Sequence, residues 1–133
     1  MEIIKQISDL DSIKLLESYP FVFRNFLIKK FSFGYGWFPI IKDLALCVEH
    51  YSQENNFDFS FLKIENRFGI LYIHSKGLDS FLIRAIQIAE RLSYVTCEQC
   101  GKRGFLYSRN GTQFSDLATL CTIDALNGLY RKL

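Results

Sequence analysis

Residues 97 to 104 read Cys97-Glu-Gln-Cys100-Gly-Lys-Arg-Gly104, and Cys121 follows after 20 intervening residues. A Cys-x-x-Cys turn lets two thiolates converge on one ion, and tetrahedral zinc binds such sulfur ligands at about 2.3 Å. The spacing to Cys121 suits a ribbon geometry, in which a hairpin returns the chain to the metal. The pattern predicts a structural metal site, with zinc as the ion, inside a knuckle over residues 95–125.

The fourth ligand is less clearly marked than the three cysteines. Asp124 stands where a second Cys-x-x-Cys would end, although structural zinc sites are usually completed by Cys or His. The fold could instead supply His50, His74 or Cys47. Two other interpretations stay open: a ribbon without metal whose thiols pack as small apolar groups, and a catalytic zinc with an open coordination position.

The composition of the chain is that of a compact globular protein. The 133 residues are 49% hydrophobic and 16% aromatic, which predicts one globular domain over residues 1–133. A net charge of +2 gives no global attraction to nucleic acid or to an anionic membrane. The chain has neither a signal-peptide pattern nor an apolar run near the roughly 20 residues of a membrane span. We therefore expect a cytoplasmic protein without a membrane partner, whose four cysteines are reduced.

Hydrophobic periodicity and turn residues predict an α+β fold, a small antiparallel sheet packed with three to five helices and followed by the C-terminal zinc-ribbon-like knuckle. The helices are expected over about 9–18, 21–31, 39–52, 78–94 and 121–131. The strands are expected over 57–64 and 68–74, with the polar segment 65–67 as their turn. Asn110-Gly111 predicts a further hairpin.

Two of these helices have a predicted apolar face. In the helix from 39 the apolar spacing selects Ile40, Leu44, Cys47, Val48 and Tyr51. In the helix from 78 it selects Phe81, Ala85, Ile88, Ala89 and Leu92. We expect both sets to face the core.

The order of four motifs resembles a family of small proteins of bacterial genomes and prophages. The motifs are Gly36-Trp37-Phe38-Pro39, the stretch Lys63-Ile-Glu-Asn-Arg-Phe68-Gly69, Cys97-Glu-Gln-Cys100-Gly and Thr119-Leu-Cys121. That family shows Gly-Trp-Phe, Lys-Glu-Lys-Phe-Gly-Gly, Cys-x-x-Cys-Gly and a closing Leu-Cys-x-x-His. Here Ile70 replaces the second glycine and Asp124 replaces the histidine. The resemblance, over residues 36–124, implies a zinc-stabilised α+β domain of phage or mobile-element type and implies no activity.

Two further groups of residues have a functional and a plain structural interpretation. Tyr35, Trp37 and Phe38 follow Gly34 and could form an aromatic anchor for a protein partner, or pack in the core. Lys102, Arg103 and Arg109 surround the metal turn, interleaved with aromatic residues, as in ribbon domains that bind nucleic acid. Alternation along a strand would place these cations in water without a ligand.

The leading functional hypothesis is a non-catalytic binding protein that blocks a surface of a bacterial or phage protein, as inhibitors and immunity proteins do. It depends on the absence of a catalytic motif in the sequence, on small size and on the resemblance. The runner-up is a regulatory zinc-ribbon protein that binds nucleic acid through Lys102, Arg103 and Arg109. An enzyme with an open zinc site is the third hypothesis. The sequence leaves the oligomeric state open.

Overall fold

The computed structural model describes residues 7–27, 31, 33–108, 117–128 and 131–132. Within those ranges the chain forms four α-helices, one 3₁₀ turn and five strands, which confirms an α+β fold. In chain order they are α1 (Asp9–Ser18), the 3₁₀ turn (Tyr35–Trp37), α2 (Phe38–Glu54), β1 (Ser60–Arg67), β2 (Ile70–Lys76), α3 (Ser80–Ser93), β3 (Phe105–Ser108), β4 (Leu117–Leu120), α4 (Thr122–Asn127) and β5 (Arg131–Lys132). The strands are divided between two antiparallel sheets, β1–β2 and β4–β3–β5.

The larger hydrophobic core lies between α2, α3 and the β1–β2 hairpin. Ser8 caps α1 by accepting a hydrogen bond from the Asp11 N–H, and Pro39 lies in the first turn of α2. Both helices were predicted at nearly these bounds. The core is rich in aromatic rings from outside the helices, which pack edge-on or tilted against one another: Phe23, Phe26, Phe31, Phe33, Phe59 and Phe61.

The turn of the first hairpin lies later in the chain than predicted. β1 continues through the polar segment 65–67, and Arg67 pairs with Ile70. Phe68 and Gly69 form the two-residue turn, with φ of 57° and 81°. Glycine adopts such a positive φ at little cost, so Gly69 rather than the polar residues determines where the chain reverses.

The helix predicted over 21–31 is wrong in the described residues 21–27, which form turns. Their backbone groups bond to other elements: the N–H groups of Phe21 and Val22 donate to the buried carboxylate of Glu49 on α2. The Val22 carbonyl accepts from the Phe61 N–H at 2.7 Å, and the Leu27 N–H donates to a β1 carbonyl. These tertiary hydrogen bonds outweigh the helical tendency that the apolar spacing predicted. Residues 28–30 of the prediction lie outside the described part of the chain.

The buried faces of α2 and α3 are rotated from those predicted. In α3 the core-facing residues are Leu82, Ile86, Ala89 and Ser93, while Phe81, Ile88 and Leu92 are exposed. In α2 Leu44 and Val48 are buried as predicted, but Cys47 is exposed. Ala89 is buried as predicted and Ala85 is partly buried, but both helices carry apolar residues on more than one side, so periodicity alone misplaces the larger side chains of α3. The consequence is an apolar groove between the two helices on the outside of the molecule.

The second sheet belongs to the C-terminal part of the chain. β3 and β4 pair antiparallel with Ser108 opposite Leu117, while the predicted Asn110-Gly111 turn lies outside the described residues. α4 ends at Asn127, and Arg131–Lys132 is a strand paired with β3. The prediction of a helix to residue 131 is therefore wrong at its C-terminal end.

Across the described ranges, the structure contains no helix with the length and apolar character needed to cross a membrane.

Candidate metal centre

Two elements bring the cysteines together. The first is a tight turn after α3, in which the Gly101 N–H donates to the Cys97 carbonyl and the Cys97 N–H donates to the Lys102 carbonyl. Gly101 has φ of 85°, the left-handed conformation that glycine tolerates best. The second is the start of α4, where Cys121 is the N-cap and its sulfur accepts from the Asp124 N–H at 3.5 Å. The β3–β4 pair joins the two elements.

The four side chains have the spacing of a tetrahedral site. The sulfurs of Cys97, Cys100 and Cys121 and a carboxylate oxygen of Asp124 all lie within 4.8 Å of one another. Two thiolates on one tetrahedral zinc would lie about 3.8 Å apart, and a thiolate and a carboxylate oxygen about 3.5 Å apart. Cys100 Sγ is 3.7 Å from Cys121 Sγ, and Asp124 Oδ2 is 3.2 Å from Cys97 Sγ and 3.3 Å from Cys121 Sγ. These side chains could therefore hold a metal ion.

Burial controls the protonation of Cys97, the most buried of the three cysteines. It raises the pKa of the Cys97 thiol to about 12, although the N–H groups of Cys121, Cys100 and Gln99 favour the thiolate. For Asp124, burial also acts to raise the pKa, but hydrogen bonds from the three thiols outweigh it and hold that pKa below its usual value. A dication would have to displace the Cys97 proton, so metal binding at this site releases protons.

The charge of such a site, and the cations that follow the Cys-x-x-Cys turn, bear on what the turn can bind. Three thiolates and one carboxylate around a dication leave a net charge of two minus. Lys102 and Arg103 are exposed and follow Cys100 in sequence, and the Lys102 charge helps to lower the pKa of Asp124. The Lys102 charge would therefore offset part of the charge of a loaded site.

The alternative fourth ligands lie elsewhere. His50 pairs with Glu54 on α2 at 3.0 Å, and His74 lies 3.6 Å from Glu65 on the β1–β2 hairpin. Cys47 is exposed on α2. Within the described ranges, Asp124 is the residue placed with the three cysteines.

The aromatic segment 35–38 packs directly on the metal turn. The Gly36 N–H donates to the Glu98 carbonyl at 2.6 Å, and the Trp37 indole N–H donates to the Thr96 carbonyl at 2.9 Å. Trp37 is fully buried, which excludes it from the predicted exposed anchor. Tyr35 is 47% exposed and stacks on Phe38, with ring centres 5.9 Å apart and planes inclined by 8°.

A buried carboxylate between the cysteines connects the turn to the larger core. Glu98 accepts from the Gly34 N–H at 2.8 Å and from the Asn66 side-chain amide at 2.6 Å. Its own N–H donates to the Thr119 carbonyl of β4 at 2.8 Å. Burial raises the pKa of Glu98, whereas its two donors favour the ionised form. One residue thus joins the metal turn, the aromatic segment and both sheets.

Glu98 and Gly36 were not predicted as parts of this site. A glutamate inside a Cys-x-x-Cys turn is ordinarily a solvated residue, so its type carries no signal of burial. The sequence did contain one signal for Gly36. A glycine next to several bulky aromatic residues can indicate a place where another backbone segment approaches closely. Comparison with models of protein families, with curated proteins and with solved structures found no match to this chain.

Gly36→Ala is expected to destabilise the protein by about 3 kcal/mol, the upper part of the range for overpacking a close-packed site. A Cβ at residue 36 would lie 2.1 Å from the Cys97 carbonyl oxygen and 2.6 Å from the Gly101 nitrogen, and neither backbone group can move without distorting the metal turn. Urea denaturation followed by circular dichroism measures the loss. Unchanged stability would show that the segment is not held against the turn as described.

Proposed function

We propose that this chain is a non-catalytic binding protein of phage or mobile-element type, an inhibitor or immunity protein that covers a surface of a partner protein. A zinc ion on Cys97, Cys100, Cys121 and Asp124 would stabilise the knuckle that supports the contact surface. The supporting observation is the attachment of the aromatic segment to this turn, which holds Tyr35 exposed in a fixed orientation. A rigid tyrosine loses little conformational entropy on binding and is a common anchor at protein interfaces.

A structural rather than catalytic ion is supported by the number of donors. Four protein atoms can fill a tetrahedral coordination, whereas a catalytic zinc keeps one position for water or substrate. The Cys97 sulfur is buried, and Asp124 is half-buried with its oxygen against two sulfurs. Four protein donors around one ion support the structural interpretation over the catalytic one.

Tyr35→Ala is expected to weaken capture of the partner by about 30-fold or more, the effect of truncating an interface hot spot. The test is an affinity pull-down of the tagged chain from its native cell extract, after nuclease treatment, read by mass spectrometry. Tyr94→Ala is the matched control, because Tyr94 is exposed to a similar degree at the end of α3. Equal loss with both variants, or no loss with either, would contradict the proposed surface.

A nucleic-acid function is the second candidate, supported by one local arrangement. The Arg103 guanidinium lies 5.7 Å from the ring centre of Phe105, which is 40% exposed, and Lys102 is exposed beside them. Cations beside an exposed ring suit a phosphate and a stacked base. Tyr107 is buried, and Arg109 lies outside the described residues.

The charge near the cluster favours the protein partner over nucleic acid, since Lys102 would offset part of the negative charge of a loaded metal site and so be less available to phosphates. The same pull-down separates the two functions. Nucleic acid would be favoured if the material bound to the tagged chain is lost after nuclease treatment. Binding should then also weaken at higher salt and in the Lys102→Ala variant. Recovery of one dominant protein in spite of nuclease would favour the inhibitor or immunity function.

A further inference from the structure

The groove between α2 and α3 is separate from the metal centre and from Tyr35. It encloses about 580 Å³ and is lined mainly by apolar side chains, including Ile40, Leu44, Cys47, Phe81, Ile88 and Leu92. Ile88 is 58% exposed, Leu92 47% and Phe81 43%. Contiguous exposed apolar surface of this kind on a small protein marks an interaction site more often than chance.

Two charged residues lie on the same groove, one from each helix. Asp43 is on α2 and Arg84 on α3. Within the described part of the chain neither belongs to an ion pair, whereas His50 and Glu54 nearby pair with each other. The groove therefore has an apolar floor with one unpaired acid and one unpaired base.

This charge pattern is complementary to itself. A two-fold axis through the groove, between Asp43 and Arg84, would bring each acid opposite the base of the other copy. An isologous interface repeats every contact in this way. A different partner would need its own acid and base in matching positions, while a second copy has them by symmetry.

We propose that the α2–α3 groove is a homodimer interface, in which the exposed ridge of Ile88 and Leu92 packs into the groove of a second copy of this chain. Asp43 of each copy faces Arg84 of the other. The α2 and α3 helices of both copies then form a four-helix arrangement, a packing in which apolar helix faces are mutually buried. The proposal is independent of the partner surface at Tyr35.

The area of the α2–α3 face determines how strong a dimer can be expected. Two helices side by side are about 20 Å wide, and the 14 residues of α3 span about 21 Å, so each copy presents a projected area of about 400 Å². Such an interface lies at the low end of specific associations. We therefore expect a reversible dimer with a dissociation constant in the micromolar range.

Sedimentation equilibrium of the full chain over about 1 to 100 µM tests the proposal, because this range brackets a micromolar dissociation constant. We expect a monomer–dimer equilibrium for the wild type, and Ile88→Glu should raise the dissociation constant about 30-fold or more by burying a carboxylate at the centre of the interface. Ile13→Glu on α1 is the matched control, since Ile13 is also an exposed isoleucine on a helix. The melting temperature of each variant verifies that it is folded.

Charge reversal tests the pairing itself. Asp43→Arg and Arg84→Asp should each weaken the dimer about fivefold, because each creates two like-charge contacts related by symmetry. The double variant restores opposite charges and should return the dissociation constant close to that of the wild type. A monomer at every concentration, a dimer unaffected by Ile88→Glu, or a double variant no better than either single one would overturn the proposal.

Discussion

Cys100→Ser is expected to abolish tight metal binding and to lower the melting temperature by about 12 °C. A ligand at a thousandfold excess over its dissociation constant stabilises the folded state by about 4 kcal/mol, and for a chain of this length each kcal/mol corresponds to about 3 °C. Cys100 is exposed, so the exchange of sulfur for oxygen removes little apolar packing. The loss should therefore come from the missing ligand.

Cys47→Ser is the matched control, because Cys47 is also exposed and lies outside the cluster. Elemental analysis of the purified proteins should give one equivalent of zinc for the wild type and for Cys47→Ser, and little for Cys100→Ser. Chelation of the wild type should reproduce the lower melting temperature, and added zinc should reverse it. A wild type without bound metal, whose melting temperature equals that of both variants, would favour the ribbon without metal.

Glu98→Ala is expected to reduce the free energy of unfolding by about 3 kcal/mol, the cost of removing a buried acceptor and leaving its two donors without a partner. The Gly34 N–H is buried, so water cannot replace the lost acceptor there. Glu98→Gln keeps the shape but turns an amide N–H₂ toward one of the two donors. It should cost about half as much, since one of the two hydrogen bonds survives.

Urea denaturation at saturating zinc separates this effect from metal loss. Glu54→Ala is the control, since Glu54 is an exposed glutamate whose recorded ion pair is with the exposed His50, and it should change stability by no more than about 0.5 kcal/mol. If Glu98→Ala were as mild as Glu54→Ala, the carboxylate would not be the connection between the metal turn and the larger core.

Local signals in the sequence were sufficient for much of this structure. Ser8, Pro39 and the Cys-x-x-Cys turn act on their immediate neighbours, so α1, α2 and the grouping of Cys97 with Cys100 were predictable. Cys121 and Asp124 were placed by spacing alone, and the structure brings both to the turn. The ion at this site and its identity remain predictions.

The errors come from interactions between distant residues. The segment 21–27 forms turns because Glu49 and β1 accept its backbone hydrogen bonds. Phe21 and Glu49 are 28 residues apart, and local hydrophobic periodicity cannot indicate a contact over that separation. In α3 the apolar residues cover two faces, and only packing against α2 and β2 decides that Ile86 is buried and Ile88 is not. The side chain left outside by that choice is the one at the centre of the proposed dimer.

Trp37 gives the protein an internal optical probe. It is the single tryptophan of the chain, it is fully buried, and its indole N–H donates to the carbonyl of Thr96, the residue before Cys97. Tryptophan fluorescence responds to the polarity around the indole ring. The emission wavelength of the native chain therefore reports on the contact between the Cys-x-x-Cys turn and the aromatic core, without any added label.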